Sequence, residues 1–329
     1  PADKTLLMVL ADHGESLAEH GEYYHGVFLY EATLRIPWVI VAPGLPAGQR
    51  VKAQARTMDL LPTVLALLKA ETPSVCQGTS LLPALSGKDV PTTYSYSEAL
   101  YPKLNMGWAE LRGMRTNQWK YVMAPRPELY DLESDPGELR NVIEQHPDKA
   151  SQLRAEIQKM VPTQGDSPTE QVQIKTISAV SEKQLESLGY VSAGASRQLK
   201  LTGEGADPKD RTHILKLLEE SGSLQKKLSL PQRIQLLNQA RNEDPTNPAL
   251  YYLLGGAYEV NRRPADALRV YELALRQKAT ATSKIYSRMA AIHGEQGRLD
   301  EAILALESAL DIDPTDIGSQ GKLAGAYLL

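Results

Sequence analysis

The hydrophobic pattern of the first forty residues predicts two strands separated by a polar loop and a short helix. Residues 5–11 (TLLMVLA) form a continuous apolar run, which is typical of a strand buried on both faces of an α/β sheet. A second apolar run, residues 36–42, is followed by the turn signal Pro43-Gly44. Residues 27–34, between the two runs, predict a short helix. This order predicts a βαβ unit, in which helices pack on a sheet.

Further along, the pattern alternates between helix and strand. Apolar residues at helical spacing predict a helix over 58–70. Two β-like segments, residues 113–123 and 127–132, predict a small antiparallel sheet with tight turns. Residues 149–161 are again helical and close this first domain, which we assign to residues 1–161.

A second domain follows a linker. Residues 162–207 contain two stretches rich in Gly, Ser, Pro and charge, which is typical of linkers. Between these stretches, residues 181–192 (SEKQLESLGYVS) predict a short helix that docks on the first domain. From residue 208 to 329 the pattern is helical only.

The helical region repeats itself. Ala240, Ala274 and Ala309 recur at intervals of 34 and 35 residues, and the same period separates Tyr258 from His293. This period resembles the tetratricopeptide repeat, a pair of helices that buries its core only against neighbouring pairs. The sequence therefore predicts an all-α solenoid. Its last unit stops inside the first helix, so we expect the array to be truncated there.

Composition excludes several classes of protein. A formal net charge of -4 and 23% charged residues give no general affinity for nucleic acid or an anionic membrane surface. Proline and glycine interrupt the apolar runs well before the ~20 residues of a membrane span. The single cysteine, Cys76, excludes an internal disulfide framework.

Candidate chemistry is concentrated in residues 12–26, DHGESLAEHGEYYHG. Asp12 and His13 come directly after the first predicted strand, at the carboxyl end where open α/β sheets bind ligands. A carboxylate beside an imidazole is a plausible pair of metal ligands. A surface turn with a capping aspartate is the alternative for such a pair.

Ordered motifs extend the evidence beyond this loop. The stretch TLLMVLADHGESLAEHGEYYHGVFLYEATLRIPWVIVAPG resembles the sulfatases of the alkaline phosphatase superfamily. The resemblance continues in the same order through MDLLPTVLALL, GTSLLPALSG, MRTNQWKYV and ELYDLESDPGELRNV, over about residues 5–145. We therefore expect a partial sulfatase-like α/β domain with a small antiparallel sheet, followed by the tetratricopeptide repeat solenoid.

The resemblance implies roles for individual residues. It implies that Asp12 and His13 are ligands of the active-site divalent cation. By family resemblance this cation is calcium, but an imidazole ligand also permits manganese, magnesium or zinc. It places His25 against the transferring sulfate or phosphate, as a catalytic and substrate-binding residue. His20 is either a further substrate contact or a structural residue. The remaining acidic residues of the loop, Glu15, Glu19 and Glu22, are interpreted as a solvated, locally capping set, because carboxylates would repel an anionic substrate.

The resemblance also implies the activity, which is hydrolysis of sulfate esters of small molecules or glycans. Sulfatases use a formylglycine made in a C-x-P-x-R type motif, and no such motif occurs in this chain. We therefore expect the chain to be the C-terminal part of a longer enzyme and to be inactive by itself. The alternatives are a phosphodiesterase, phosphonate hydrolase or phosphatase of the same superfamily, and a non-catalytic repeat scaffold.

Partners and location follow from the same resemblance. The repeats predict a protein partner or self-association, and nucleic acid is not expected as a ligand. Related enzymes are often exported, which predicts a periplasmic or extracellular setting.

Overall fold

The computed structural model describes residues 4–88, 90, 93–161, 203–222, 228–277 and 283–328. The chain divides into two compact units. The first contains the strands, and the second contains the helical repeats together with the segment Leu100–Glu110. The predicted domain boundaries place this segment in the first domain, whereas the structure groups it with the repeats. The helix predicted at residues 181–192 lies outside the described residues.

The first unit contains six strands and four α-helices in its described part. In chain order they are β1 (Leu7–Leu10), α1 (Glu31–Leu34), β2 (Trp38–Val41), α2 (Leu60–Leu67), α3 (Leu82–Leu85), β3 (Ser95–Ala99), β4 (Leu111–Arg115), β5 (Trp119–Met123), β6 (Glu128–Asp131) and α4 (Pro147–Met160).

The first two strands pair with each other, and they differ from the prediction. β1 and β2 are antiparallel, with Leu7 opposite Val41 and Val9 opposite Val39. The prediction of a βαβ unit with a strand buried on both faces is therefore wrong for the described residues. Leu7 and Val9, whose side chains point to the same face of this two-stranded sheet, are 55% and 54% exposed.

The predicted small antiparallel sheet is confirmed. Strands β3, β4, β5 and β6 pair in chain order, each antiparallel to the next. One face of this sheet carries Met114, Tyr121 and Leu129, and α4 covers it with Leu153 and Ile157. All five side chains are nearly inaccessible, so the amphipathic helix and the sheet bury a common core.

The second unit is helical in its described part, as predicted. Its α-helices are α5 (Thr212–Gly222), α6 (Leu230–Glu243), α7 (Pro248–Val260), α8 (Pro264–Arg276), α9 (Ser283–Glu295), α10 (Leu299–Ile312) and α11 (Ile317–Ala326).

Small residues set the close approach of the repeat helices. Ala240, Ala274 and Ala309 are each 0% exposed, which explains why a small residue recurs at this interval. A Cβ atom added to Gly255 in α7 would lie 2.2 Å from the ring of Tyr271 in α8. Only a residue without a side chain fits this crossing.

The segment Leu100–Glu110 is held in the second unit by buried contacts. The indole N–H of Trp108 donates to the carboxylate of Asp244 at 2.7 Å, and both side chains are buried. The backbone N–H of Ala109 donates to the carbonyl of Ala206 at 2.9 Å. In the described part of the chain, none of the helices has both the length and the apolar character of a membrane span.

Candidate functional site

Asp12 and His13 lie side by side where β1 ends. The backbone N–H of His13 donates to Oδ1 of Asp12 at 3.0 Å, and Nε2 of His13 lies 3.7 Å from Oδ2. Two ligands that bind one cation at 2.0–2.6 Å are separated by about this distance. This distance is compatible with joint ligation, and the metal-binding role of the pair stays a prediction.

His25, at the other end of the loop, lies next to His13. Its ring centroid lies 3.9 Å from that of His13, with the two planes tilted by 33°. The Nδ1 atom of His25 lies 3.2 and 3.3 Å from the two carboxylate oxygens of Glu15. Three side chains thus meet, and one potential ligand atom from each of His13, Glu15 and His25 lies within 4.8 Å of the others.

The interpretation of the acidic residues as one solvated set is only partly right. Glu19 is exposed and caps the backbone N–H of Leu17, as expected. Glu15 instead pairs with His25, and Glu22 is 3% exposed. The sequence did not predict the pairing of Glu15 with His25, because the two residues are ten positions apart and the loop has no regular period that would bring them together.

Glu22 fixes the backbone that follows His25. Its carboxylate accepts the N–H groups of Val27 and Phe28 at 2.7 and 3.3 Å. Burial raises the pKa of Glu22 to about 7, although these two hydrogen bonds act in the opposite direction. The carboxylate therefore holds the loop in place from inside the protein.

His20 has structural contacts. Its ring stacks on that of Tyr30, with centroids 3.7 Å apart and planes 15° from parallel. Its Nε2 atom lies 3.1 Å from the carbonyl oxygen of Gly137. These contacts favour the structural alternative, and the predicted substrate contact of His20 remains a prediction.

The loop is joined to the helix α1 by a close backbone contact. The N–H of Gly14 donates to the carbonyl of Thr33 at 2.8 Å. A Cβ atom on Gly14 would lie 2.3 Å from the carbonyl oxygen of Ala32. The glycine of the Asp-His-Gly turn is thus required by the packing of the loop against α1.

A buried group of charges fixes α1 in turn. Nζ of Lys120 in β5 lies 3.1 Å from Glu31 and 2.7 Å from Glu138, and Glu138 also accepts the N–H of Glu31 at 2.6 Å. Burial raises the pKa of Glu31, but the neighbouring Lys120 and Arg115 outweigh it and hold that pKa below its usual value. The four-stranded sheet therefore positions α1, and α1 positions the site loop.

The donor set of the site suits a divalent cation. The Nδ1 atom of His13 lies 2.7 Å from the carbonyl oxygen of Gly14. Because a carbonyl oxygen only accepts, Nδ1 of His13 is the donor in this contact. Imidazole nitrogen and carboxylate oxygen are ordinary ligands of divalent metals, so the residues present fit the cation that the sulfatase resemblance implies.

Family comparison identifies the two parts of the chain. Residues 18–164 match the family model of the N-sulphoglucosamine sulphohydrolase C-terminal region, and residues 283–316 match a tetratricopeptide repeat model. The predicted resemblance is confirmed: the first part of the chain is similar to a sulfatase C-terminal region, and residues 283–316 are similar to a tetratricopeptide repeat.

Individual relatives are also sulfatases. Arylsulfatase K of Bos taurus is 31% identical over 174 residues, which cover 48% of this chain and 31% of that protein. Arylsulfatase K of Gallus gallus is 33% identical over 163 residues, or 46% of this chain and 30% of the relative. The chain thus spans about a third of the length of the curated relatives that it matches.

Solved structures give similar matches. A putative sulfatase from Bacteroides thetaiotaomicron is 26% identical with a TM-score of 0.42, over 47% of this chain and 35% of that one. A phosphonate monoester hydrolase from Silicibacter pomeroyi is 28% identical with a TM-score of 0.41, over 48% of this chain and 35% of that one.

Proposed function

We propose that this chain forms part of an enzyme that hydrolyses sulfate esters with a divalent cation. The observation that carries the proposal is the meeting of Asp12, His13 and His25 at one end of β1, within a segment that matches the sulfatase C-terminal family. The bound cation would neutralise negative charge on the non-bridging oxygens of the ester.

The residues of this chain have separate roles in the proposal. Asp12 and His13 would hold the cation through their side chains. His25 donates a hydrogen bond to an oxygen of the transferring group and stabilises the charge that develops there. An imidazole can donate such a bond through a ring N–H. A formylglycine nucleophile would be provided outside these 329 residues.

The wider setting is proposed from the same resemblance. Sulfate esters of small molecules or glycans are the substrate class, and the repeats hold a protein partner or a second copy. A periplasmic or extracellular location suits an enzyme of this type.

The test uses the whole enzyme that contains these residues, with an aryl sulfate and an aryl phosphonate as separate substrates. We expect the sulfate to be hydrolysed faster. Asp12→Ala should lower metal content and turnover together, the turnover on the order of 100-fold or more. Glu71→Ala, at an exposed position outside the site, is the control. Unchanged metal content in Asp12→Ala, or a preference for the phosphonate, would contradict the proposal.

A further inference from the structure

Glu22 is a buried acidic residue of the site loop, residues 12–26, and the proposed chemistry does not use it. Its side chain is 3% exposed, whereas that of His25, three positions later, is 28% exposed. We propose that Glu22 is a positioning residue for His25, which holds the imidazole in place for turnover through hydrogen bonds to the backbone. The inference rests on the proposed function, because His25 acts on a substrate only in that proposal.

One carboxylate oxygen of Glu22 closes the backbone around His25. Oε1 accepts the N–H of Val27 at 2.7 Å and the N–H of Phe28 at 3.3 Å. Glu22 and Val27 are five positions apart, and His25 lies between them. A change at these two hydrogen bonds therefore alters the backbone that carries the imidazole.

The residues that Glu22 binds are fixed in the protein interior. The side chains of Val27, Phe28 and Tyr30 are buried. The hydroxyl of Tyr30 donates to the carboxylate of Glu128 at 3.2 Å, which ties this run to β6. Because packing in the core leaves side chains little freedom, the hydrogen bonds from Glu22 locate the loop against a rigid part of the protein.

Ser16 fixes the other side of the same turn. Its hydroxyl donates to the backbone carbonyl of Glu22 at 3.0 Å, and its backbone N–H donates to the carbonyl of Tyr24 at 2.8 Å. The Ser16 side chain is itself buried. The backbone is thus bonded directly before His25, at Tyr24, and again after it, at Val27.

The loop requires an acceptor at position 22 and does not require a negative charge there. Both N–H groups donate to the same oxygen, Oε1. A protonated carboxyl group and a glutamine amide each keep one carbonyl oxygen that can accept in its place. Burial raises the pKa of Glu22 to about 7, so the neutral form, which retains the acceptor, is populated near neutral pH. An apolar side chain of similar size instead leaves two buried N–H groups without their acceptor.

Steady-state kinetics of the whole enzyme with Glu22→Met and Glu22→Gln test the inference. Methionine is similar in length to glutamate, and its sulfur is only a weak acceptor. We expect Glu22→Met to lower kcat on the order of 10–100-fold and to change KM less than about threefold, because a misplacement of ~1 Å removes transition-state stabilisation. Glu22→Gln should restore kcat to within about threefold of the original. The control Glu71→Met, at an exposed position outside the site, should leave both constants unchanged.

A double-mutant cycle separates positioning from a general loss of structure. In a His25→Ala background, Glu22→Met should lower kcat by less than about a further twofold, because no imidazole remains to be displaced. An equal reduction in both backgrounds would overturn the inference. A Glu22→Gln enzyme as slow as Glu22→Met would overturn it as well, since the charge rather than the acceptor would then be required.

NMR of the 329-residue chain gives a readout that needs no ester. The ring resonances of His25 should shift in Glu22→Met and stay close to their original positions in Glu22→Gln, while those of His213 stay in place in both. Circular dichroism checks that Glu22→Met is folded. If it is not, Ser16→Ala, which removes the hydroxyl donor to the Glu22 carbonyl, should shift the same His25 resonances.

The two kinds of failure give different results. Absence of sulfate-ester hydrolysis by the whole enzyme contradicts the proposed function. Unshifted His25 resonances in the folded variant overturn the positioning role of Glu22, whatever ester the enzyme hydrolyses.

Discussion

Nζ of Lys120 lies 2.7 Å from a carboxylate oxygen of Glu138, and both side chains are 1% exposed. The same ammonium group lies 3.1 Å from Glu31. Removing it leaves Glu138 buried without its cation and close to Glu31, which keeps its contact with Arg115. Because an uncompensated buried charge is costly, Lys120→Met should lower the free energy of unfolding by about 3–5 kcal/mol.

Urea unfolding of the two lysine variants measures this effect. Lys159→Met is the matched control, because Lys159 pairs with Glu156 at the surface and is 67% exposed. Its loss of stability should be much smaller than that of Lys120→Met, because solvent screens an exposed ion pair. Equal losses in the two variants would show that the buried cation does not hold α1 to the sheet.

A methyl group at Gly14 should disturb the site loop. Gly14→Ala places a Cβ atom 2.3 Å from the carbonyl oxygen of Ala32, so the backbone of the loop or of α1 must move. We expect a loss of about 1–3 kcal/mol in the free energy of unfolding.

The glycine control lies in an open part of a helix. Gly294 in α9 has no atom within 4 Å of an added Cβ, so Gly294→Ala should stabilise the chain by up to about 1 kcal/mol. Thermal unfolding of both variants gives the comparison. A Gly14→Ala chain as stable as the original would contradict the close packing of the loop on α1.

The stability of the first unit should fall as pH rises from about 4.5 to 7. Burial raises the pKa of Glu22 to about 7, from 4.5 in an unfolded chain. Between these values the folded state binds more protons than the unfolded state, so stability decreases with pH and levels off above the folded pKa. The full loss is at most about 3 kcal/mol.

Glu22→Gln isolates this contribution. A glutamine oxygen can accept the N–H groups of Val27 and Phe28 without burying a charge, so the variant should gain stability relative to the original at pH 8 and lose that advantage at pH 4.5. Urea unfolding at several pH values measures the difference between the chains. A difference that does not change with pH would contradict the raised pKa.

The hydrogen bond between Trp108 and Asp244 should contribute more to the stability of the second unit than the size of the indole ring does. Trp108→Phe removes a donor 2.7 Å from a buried carboxylate. We expect the free energy of unfolding to fall by about 1.5–3 kcal/mol more than the change of ring alone would cause. Trp38→Phe is the control, because the indole N–H of Trp38 has no hydrogen-bond partner among the described residues. Similar losses in the two variants, measured by calorimetry, would contradict this role.

The sequence by itself determined the features that depend on neighbours along the chain. The short strands and their turns, the helix α4, and the repeating alanines of the solenoid follow from local periodicity. The adjacency of Asp12 and His13 after a strand was also visible, because two consecutive residues share one place in any fold.

Only the tertiary structure decided which distant residues meet. Glu15 pairs with His25 because a loop closes between them. Glu22 is buried where its carboxylate accepts the N–H of Val27. Lys120 meets Glu31 because α1 lies against the sheet. The segment Leu100–Glu110 belongs to the second unit, where Trp108 donates a hydrogen bond to Asp244. A sequence pattern records the polarity of a residue, whereas pairing and burial depend on packing between segments that no local period connects.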